Sequence, residues 1–209
     1  MLLNEILTKP INRISISTKP TRDKNRTHGF DWLKDGGYDL PKKWSVLGHG
    51  AQASAFLHNG SNTAVKVMYV EGTSDPAYQF LRLALNHQNN IHFPKIYAYK
   101  QYSTIDDDIS KIIINMERLY KINRNSLKII ENELGVEIPS VKSLKINMTD
   151  PAFRQQMIRN AKTPALKQAL KLMEPLFNNY RVDMHLGNIM MRSNGANQEM
   201  VFIDPVTFA

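Results

Sequence analysis

The chain has 209 residues, 42% apolar and 22% charged, with 27 Lys and Arg against 19 Asp and Glu for a formal net charge of +8. That balance excludes a disordered or collagen-like polypeptide and suits one globular unit or two small lobes. Cysteine is absent, so disulfides and thiolate metal sites are excluded, and any metal must be held by oxygen or imidazole, which favours hard cations such as Mg²⁺.

No stretch approaches the ~18 consecutive apolar residues of a membrane span, and Met1–Leu7 is too short and too acidic for a secretory signal. The expectation is a soluble, unexported protein with no membrane partner. Acidic residues run along the whole chain, so the basic balance is read as solubility and nucleic acid is not expected as a partner.

In chain order, residues 1–43 form a basic arm, in which the stretch from Lys9 to Arg26 carries Lys9, Arg13, Lys19, Arg22, Lys24 and Arg26 against the single acid Asp23. It reads as a solvated leader, with docking or self-modification as the alternative. Turn chemistry at Asp35-Gly36-Gly37 and Pro41 places the start of the compact region at Trp44, where Trp44–Leu47 predicts a first strand. Ser54–His58 and Thr63–Val70 flank Asn59-Gly60-Ser61-Asn62 and predict a hairpin. Its midpoint between Gly60 and Ser61 sets Lys66 opposite Ala55, beneath the preceding Gly48-His49-Gly50.

Tyr78–Asn86 predicts a helix with Pro76 near its start, and Ile96–Tyr99 and Lys111–Met116 predict strands around the acidic turn 106–108. The second half opens helical: Ser126–Leu134 ends at Gly135, and Leu166, Leu170, Met173, Phe177 and Tyr180 recur near the 3.6-residue period. That stripe reads as core packing on a helix that delivers Asp183.

A second hairpin follows. Ile189–Arg192 and Met200–Ile203 flank Ser193-Asn194-Gly195-Ala196-Asn197, a strong turn signal. Asn188 precedes the first strand and Asp204 follows the second, with their midpoint at 196, so folding there is expected to bring them together. Asp183 lies five residues before Asn188. Two carboxylates and an amide oxygen suit Mg²⁺, which takes few protein ligands beside phosphate oxygens and water. The order is strand, glycine loop, strand with Thr63-Ala64-Val65-Lys66, then Asp183, Asn188 and Asp204; protein-kinase-like active sites require this succession.

Asp183-Met184-His185-Leu186-Gly187-Asn188-Ile189-Met190 and Ile203-Asp204-Pro205-Val206-Thr207-Phe208 resemble the early serine/threonine protein kinases of T7-like bacteriophages. More broadly, they are similar to aminoglycoside-phosphotransferase-type members of the kinase superfamily, and the resemblance spans Trp44 to Phe208. It implies an α+β, protein-kinase-like two-lobed fold, with an antiparallel-sheet N-lobe over 44–118 and a minimal, truncated helical C-lobe over 119–209.

The implied cofactors are ATP and Mg²⁺. The implied roles are backbone approach to the phosphates at Gly48 and Gly50, and α/β-phosphate pairing by Lys66. Asp183 would orient or deprotonate the attacking hydroxyl, and Asn188 and Asp204 would hold metal. Met116-Glu117-Arg118-Leu119 resembles the inter-lobe hinge, so adenine would bond the backbone of Glu117 and Leu119, under Ala64 and above Met190 or Ile203. His185 would touch either the γ-phosphate or the loop backbone. The implied activity is phosphorylation of host bacterial proteins in the host cytoplasm, and of the chain itself.

Departures accompany the resemblance. Ala53 holds the third glycine position, and Arg181-Val182 replaces the usual His-Arg pair before Asp183. No Glu lies between Asp75 and Asn90 to pair with Lys66, so Asp75, Glu71 or Gln79 substitutes or the lysine is held another way. The phage kinases run on into a further C-terminal region, whereas Pro205–Ala209 alone follow Asp204, so no activation segment is expected. Two alternatives stand beside the protein kinase: a kinase-fold module that inhibits a host protein without catalysis, and a small-molecule phosphotransferase, which the loop containing His185 favours.

Overall fold

The computed structural model describes residues 43–49, 53–103, 109–138, 147–194 and 197–208. Most of the basic arm, Gly50, the acidic turn 106–108 and residues 139–146 lie outside the described residues. The chain is mixed α+β and divides into two compact units. One runs to Gly72 and resumes over Ile96–Arg118; the other comprises Thr73–Lys95 and the chain from Leu119 onward.

The first unit is a five-stranded antiparallel sheet of β1 (Trp44–His49), β2 (Ala53–His58), β3 (Thr63–Glu71), β4 (Ile96–Ser103) and β5 (Ile109–Glu117), in the order β1-β2-β3-β5-β4. The inner strands β3 and β5 carry unbroken apolar runs, Val67–Val70 and Ile112–Ile114, buried on both faces as central strands are. Phe56, Val65, Val67, Tyr69, Ala98 and Ile113 form a buried cluster on one face, with Trp44 and Ile109 packed against it. The edge strand β4 leaves Tyr97 and Tyr99 exposed. The first hairpin has the register its spacing predicts, with Ala55 opposite Lys66. Gly60 turns the loop at φ 81, a conformation glycine adopts without a Cβ penalty.

Among its described residues the second unit holds four helices: α1 (Pro76–Asn86), α2 (Arg124–Leu134), α3 (Pro151–Asn160) and α4 (Pro164–Asn179). Each starts on a side-chain cap, Asp75, Asn123, Asp150 and Thr163 respectively, that accepts a first-turn N–H. Gly135 ends α2 in the left-handed region at φ 62, as the sequence predicts. The stripe Leu166, Leu170, Met173 and Phe177 of α4 is buried, joined by Ala169 and Leu176. α4 packs on α1 and α3, and α2 packs on the second hairpin.

That hairpin consists of β7 (Ile189–Asn194) and β8 (Asn197–Phe202), while β6 (Arg181–Val182) pairs with β9 (Val206–Thr207). No described helix is long and apolar enough to cross a membrane.

Candidate active site

In the first unit the register ladder builds a row across three strands: Gly48 opposite Ala55, and Ala55 opposite Lys66. A Cβ placed on Gly48 would meet nothing within 4 Å, so the backbone there is open to close approach. Lys66 is half-buried, and Ala64, two residues back on the same face of β3, is buried opposite Met116. Glu117 is buried at the end of β5 opposite Thr63, and the next N–H, of Arg118, donates to the Asn62 carbonyl at 3.1 Å. These bonds fix where the sheet hands the chain on to Leu119, a buried residue of the second unit.

In the second unit two short ladders place the acidic loop. β6 delivers Asp183, whose N–H donates to the Pro205 carbonyl at 2.9 Å where β9 begins. A 3-10 turn, Leu186–Asn188, then leads into β7, closed by the Asn188 N–H donating to the His185 carbonyl at 2.8 Å. At the far end of β8 the Ile203 N–H donates to the Asn188 carbonyl at 3.0 Å. Asp204 is therefore held between two anchored neighbours, Ile203 bonded to Asn188 and Pro205 bonded to Asp183.

Side chains complete the loop. Asn188 Nδ2 donates to the Asp183 carbonyl at 2.7 Å and lies 3.2 Å from Asp183 Oδ2. His185 Nδ1 accepts from the Gly187 N–H at 2.9 Å, a contact with the loop backbone. His185 Nε2 stands 3.8 Å from Asp183 Oδ2, and the two side chains are 33% and 24% exposed. Asp204 and Met190 are likewise half-buried. Met190 sits beside Met191, which is tied to Tyr120 by a reciprocal pair of backbone bonds at 2.8 and 2.9 Å.

The expected hairpin register is corrected by one residue. Ile189 pairs with Phe202 and Asn194 with Asn197, so two residues connect the strands instead of five, and Ile203 rather than Asp204 stands opposite Asn188. The cause is cross-strand pairing. This register sets Arg192 opposite Glu199, an ion pair at 2.9 Å, and the buried Met191 opposite the buried Met200.

Arg192 and His92 support the hairpin, Glu133 on α2 feels the like charge of its Glu199, and none of the three was singled out from sequence. Arg192 is 4% exposed; it donates to Glu199 and to the carbonyls of Ile91 and Phe93, a hundred residues upstream. His92 is fully buried with Nδ1 on the Met200 carbonyl at 2.9 Å, and Phe202 donates its N–H to the His92 carbonyl at 3.0 Å. A carbonyl only accepts, so Nδ1 carries the proton, and burial holds this imidazole below its ordinary pKa of 6.5. Burial on α2, reinforced by the charge of Glu199, pushes the Glu133 carboxyl up to about 7. Of the residues considered as partners for Lys66, Asp75 caps α1 through the Ala77 N–H at 2.8 Å, and Gln79 donates to the Thr73 carbonyl.

Among the described residues no three His, Asp or Glu side chains gather into a metal-binding group. The chemistry of Asn188 and Asp204 nonetheless fits a hard cation. With Nδ2 committed to Asp183, the planar amide turns Oδ1 the other way, and a carboxylate and an amide oxygen are the donors Mg²⁺ takes. Compared with known proteins, the chain matches no family model and none of the curated proteins.

Proposed function

We propose that the protein is a phage-encoded, ATP- and Mg²⁺-dependent serine/threonine protein kinase with a two-lobed, protein-kinase-like fold, acting on host bacterial proteins in the host cytoplasm. The observation that carries the reading is the backbone bracket around Asp204, with Asn188 and Asp183 joined side chain to side chain on its other side. Three half-buried residues with oxygen-bearing side chains are thereby anchored through their backbone in one loop region, in the order a phosphotransferase needs. The antiparallel sheet carrying the Gly48–Ala55–Lys66 row, ahead of a helix-rich unit, agrees with the same fold.

Each residue then has a role in transfer. Asp183 accepts the proton of a Ser or Thr hydroxyl as its oxygen attacks the γ-phosphorus; the bond to the β,γ-bridging oxygen breaks and ADP leaves. Lys66 offsets charge on the α- and β-phosphates, and Gly48 and Gly50 let backbone approach them. Ala64, Glu117, Leu119 and Met190 are assigned to adenine. Asn188 and Asp204 would hold Mg²⁺, which supplies neutralisation of phosphate charge when bound.

The test is γ-labelled ATP incubated with the full chain and a bacterial lysate, with and without Mg²⁺, beside Asp183→Asn. The expected result is Mg²⁺-dependent label on Ser or Thr of lysate proteins or of the chain, reduced roughly 10²- to 10⁴-fold in the variant. Nucleotide binding without any transfer would replace this reading with the non-catalytic module, and label on small-molecule acceptors alone would replace it with the small-molecule phosphotransferase.

A further inference from the structure

We propose that Gly187 is a positioning residue: it admits the His185 imidazole where a side chain would otherwise stand, and its N–H fixes the ring so that Nε2–H faces the Asp183 carboxylate. The steric half rests on one close approach. A Cβ built on Gly187 would lie 2.6 Å from His185 Cε1 and 2.8 Å from Nδ1, and the third nearest atom is Nε2 of the same ring at 3.9 Å. Glycine is required here by the ring alone, since its φ lies outside the left-handed region.

The chemical half rests on the hydrogen bond. A neutral imidazole has one donor and one acceptor nitrogen, and a backbone N–H can only donate. With the Gly187 N–H on Nδ1 at 2.9 Å, the ring proton resides on Nε2. Nε2 stands 3.8 Å from Asp183 Oδ2, and Asn188 Nδ2 stands 3.2 Å from the same oxygen. One N–H of the loop thus bonds this carboxylate oxygen, and the Nε2–H of His185, beyond hydrogen-bond distance, adds an electrostatic bias to its orientation. The value of that orientation for transfer rests on the phosphotransferase reading; the coupling between Gly187 and His185 does not.

Long-range ¹H–¹⁵N spectra of the full chain at about pH 8.5 read the tautomer directly, with His185 assigned by its loss in His185→Gln. The expected signature is protonated Nε2 and bare Nδ1 in the wild type, shifting towards the other tautomer in Gly187→Ala. A double-mutant cycle reads the steric coupling: Gly187→Ala should lower the unfolding midpoint in the wild type and leave it unchanged in His185→Ala, where the ring is gone. The double variant folds even if Gly187→Ala alone does not. In transfer assays, Gly187→Ala and His185→Ala should lower kcat by a similar factor, roughly 10- to 100-fold, with little change in the KM for ATP.

A wild-type His185 protonated on Nδ1, or equal destabilisation by Gly187→Ala in both backgrounds, would overturn the proposal. Absence of transfer by the wild type would instead overturn the phosphotransferase reading and the catalytic half of this one, while the spectra and the cycle still decide the Gly187–His185 coupling.

Discussion

Arg192 ties together parts of the chain that lie far apart in sequence. Its guanidinium joins β7 to β8 through Glu199 and to residues 91–93 through two carbonyls, in a setting that is 4% exposed. Replacing it by Met removes the charge while keeping much of the volume, and strands the Ile91 and Phe93 carbonyls and the Glu199 carboxylate. Losing one partner of a buried charge network costs about 3–5 kcal/mol, because the groups left behind remain desolvated. Arg192→Met should therefore lower the unfolding free energy measured in urea by that order, and a change below ~1 kcal/mol would show the network to be dispensable. The residue type alone does not announce this role, since a lone Arg in an apolar strand reads as a solvent-facing position until the neighbouring chain is known.

Among the elements, helix boundaries follow from local chemistry and their docking does not. The Asp150-Pro151 pair is a start signal of the same form as Asp75-Pro76, and it marks α3, a helix the apolar periodicity did not reveal because only Arg154, Met157 and Ile158 are buried on it. The end of α2 shows a glycine under two constraints. Gly135 sits at φ 62, and a Cβ there would lie 2.8 Å from Asn160 Cβ and 2.9 Å from the Asn160 carbonyl oxygen at the end of α3. Its own carbonyl accepts from Asn160 Nδ2 at 3.1 Å. Gly135→Ala should cost more than about 1 kcal/mol in denaturant unfolding, beyond the backbone penalty alone. Asn160→Gly in the same background should recover only the part due to the Asn160 Cβ, because the contact with the Asn160 carbonyl remains. For the hairpins, turn residues locate both correctly. The first register follows from loop length, whereas the second is decided by the Arg192–Glu199 pair and the burial of Met191 and Met200.

For the molecule as a whole, the partly buried Glu133 and the buried His92 tilt stability against pH in opposite senses. Glu133 keeps its proton to about pH 7 when folded, against an ordinary value of 4.5. Its contribution is full below about 4.5 and is lost as pH rises through 7, because the folded state must then ionise a desolvated carboxyl. His92 is held below 6.5 when folded, so its contribution is present above 6.5 and is lost as pH falls through the lowered value, where the unfolded chain takes the proton first. Glu133→Gln should raise the thermal midpoint at pH 8, with the gain shrinking as pH falls towards 4.5; a gain independent of pH would assign the effect to packing instead.

The sequence by itself determined the α+β class, the hairpins, the starts and stops of most elements, and the presence of Asp183, Asn188 and Asp204 near strand ends, because turn residues, caps and apolar periodicity act over a few positions. Only the tertiary structure decided the one-residue register of the second hairpin and the bracket of bonds around Asp204. It also decided the burial that perturbs Glu133 and His92, and the fit of the His185 ring against Gly187. Those features depend on residues up to a hundred positions apart meeting at ångström separations. Desolvation, ion pairing and steric exclusion take effect there only after the chain has folded.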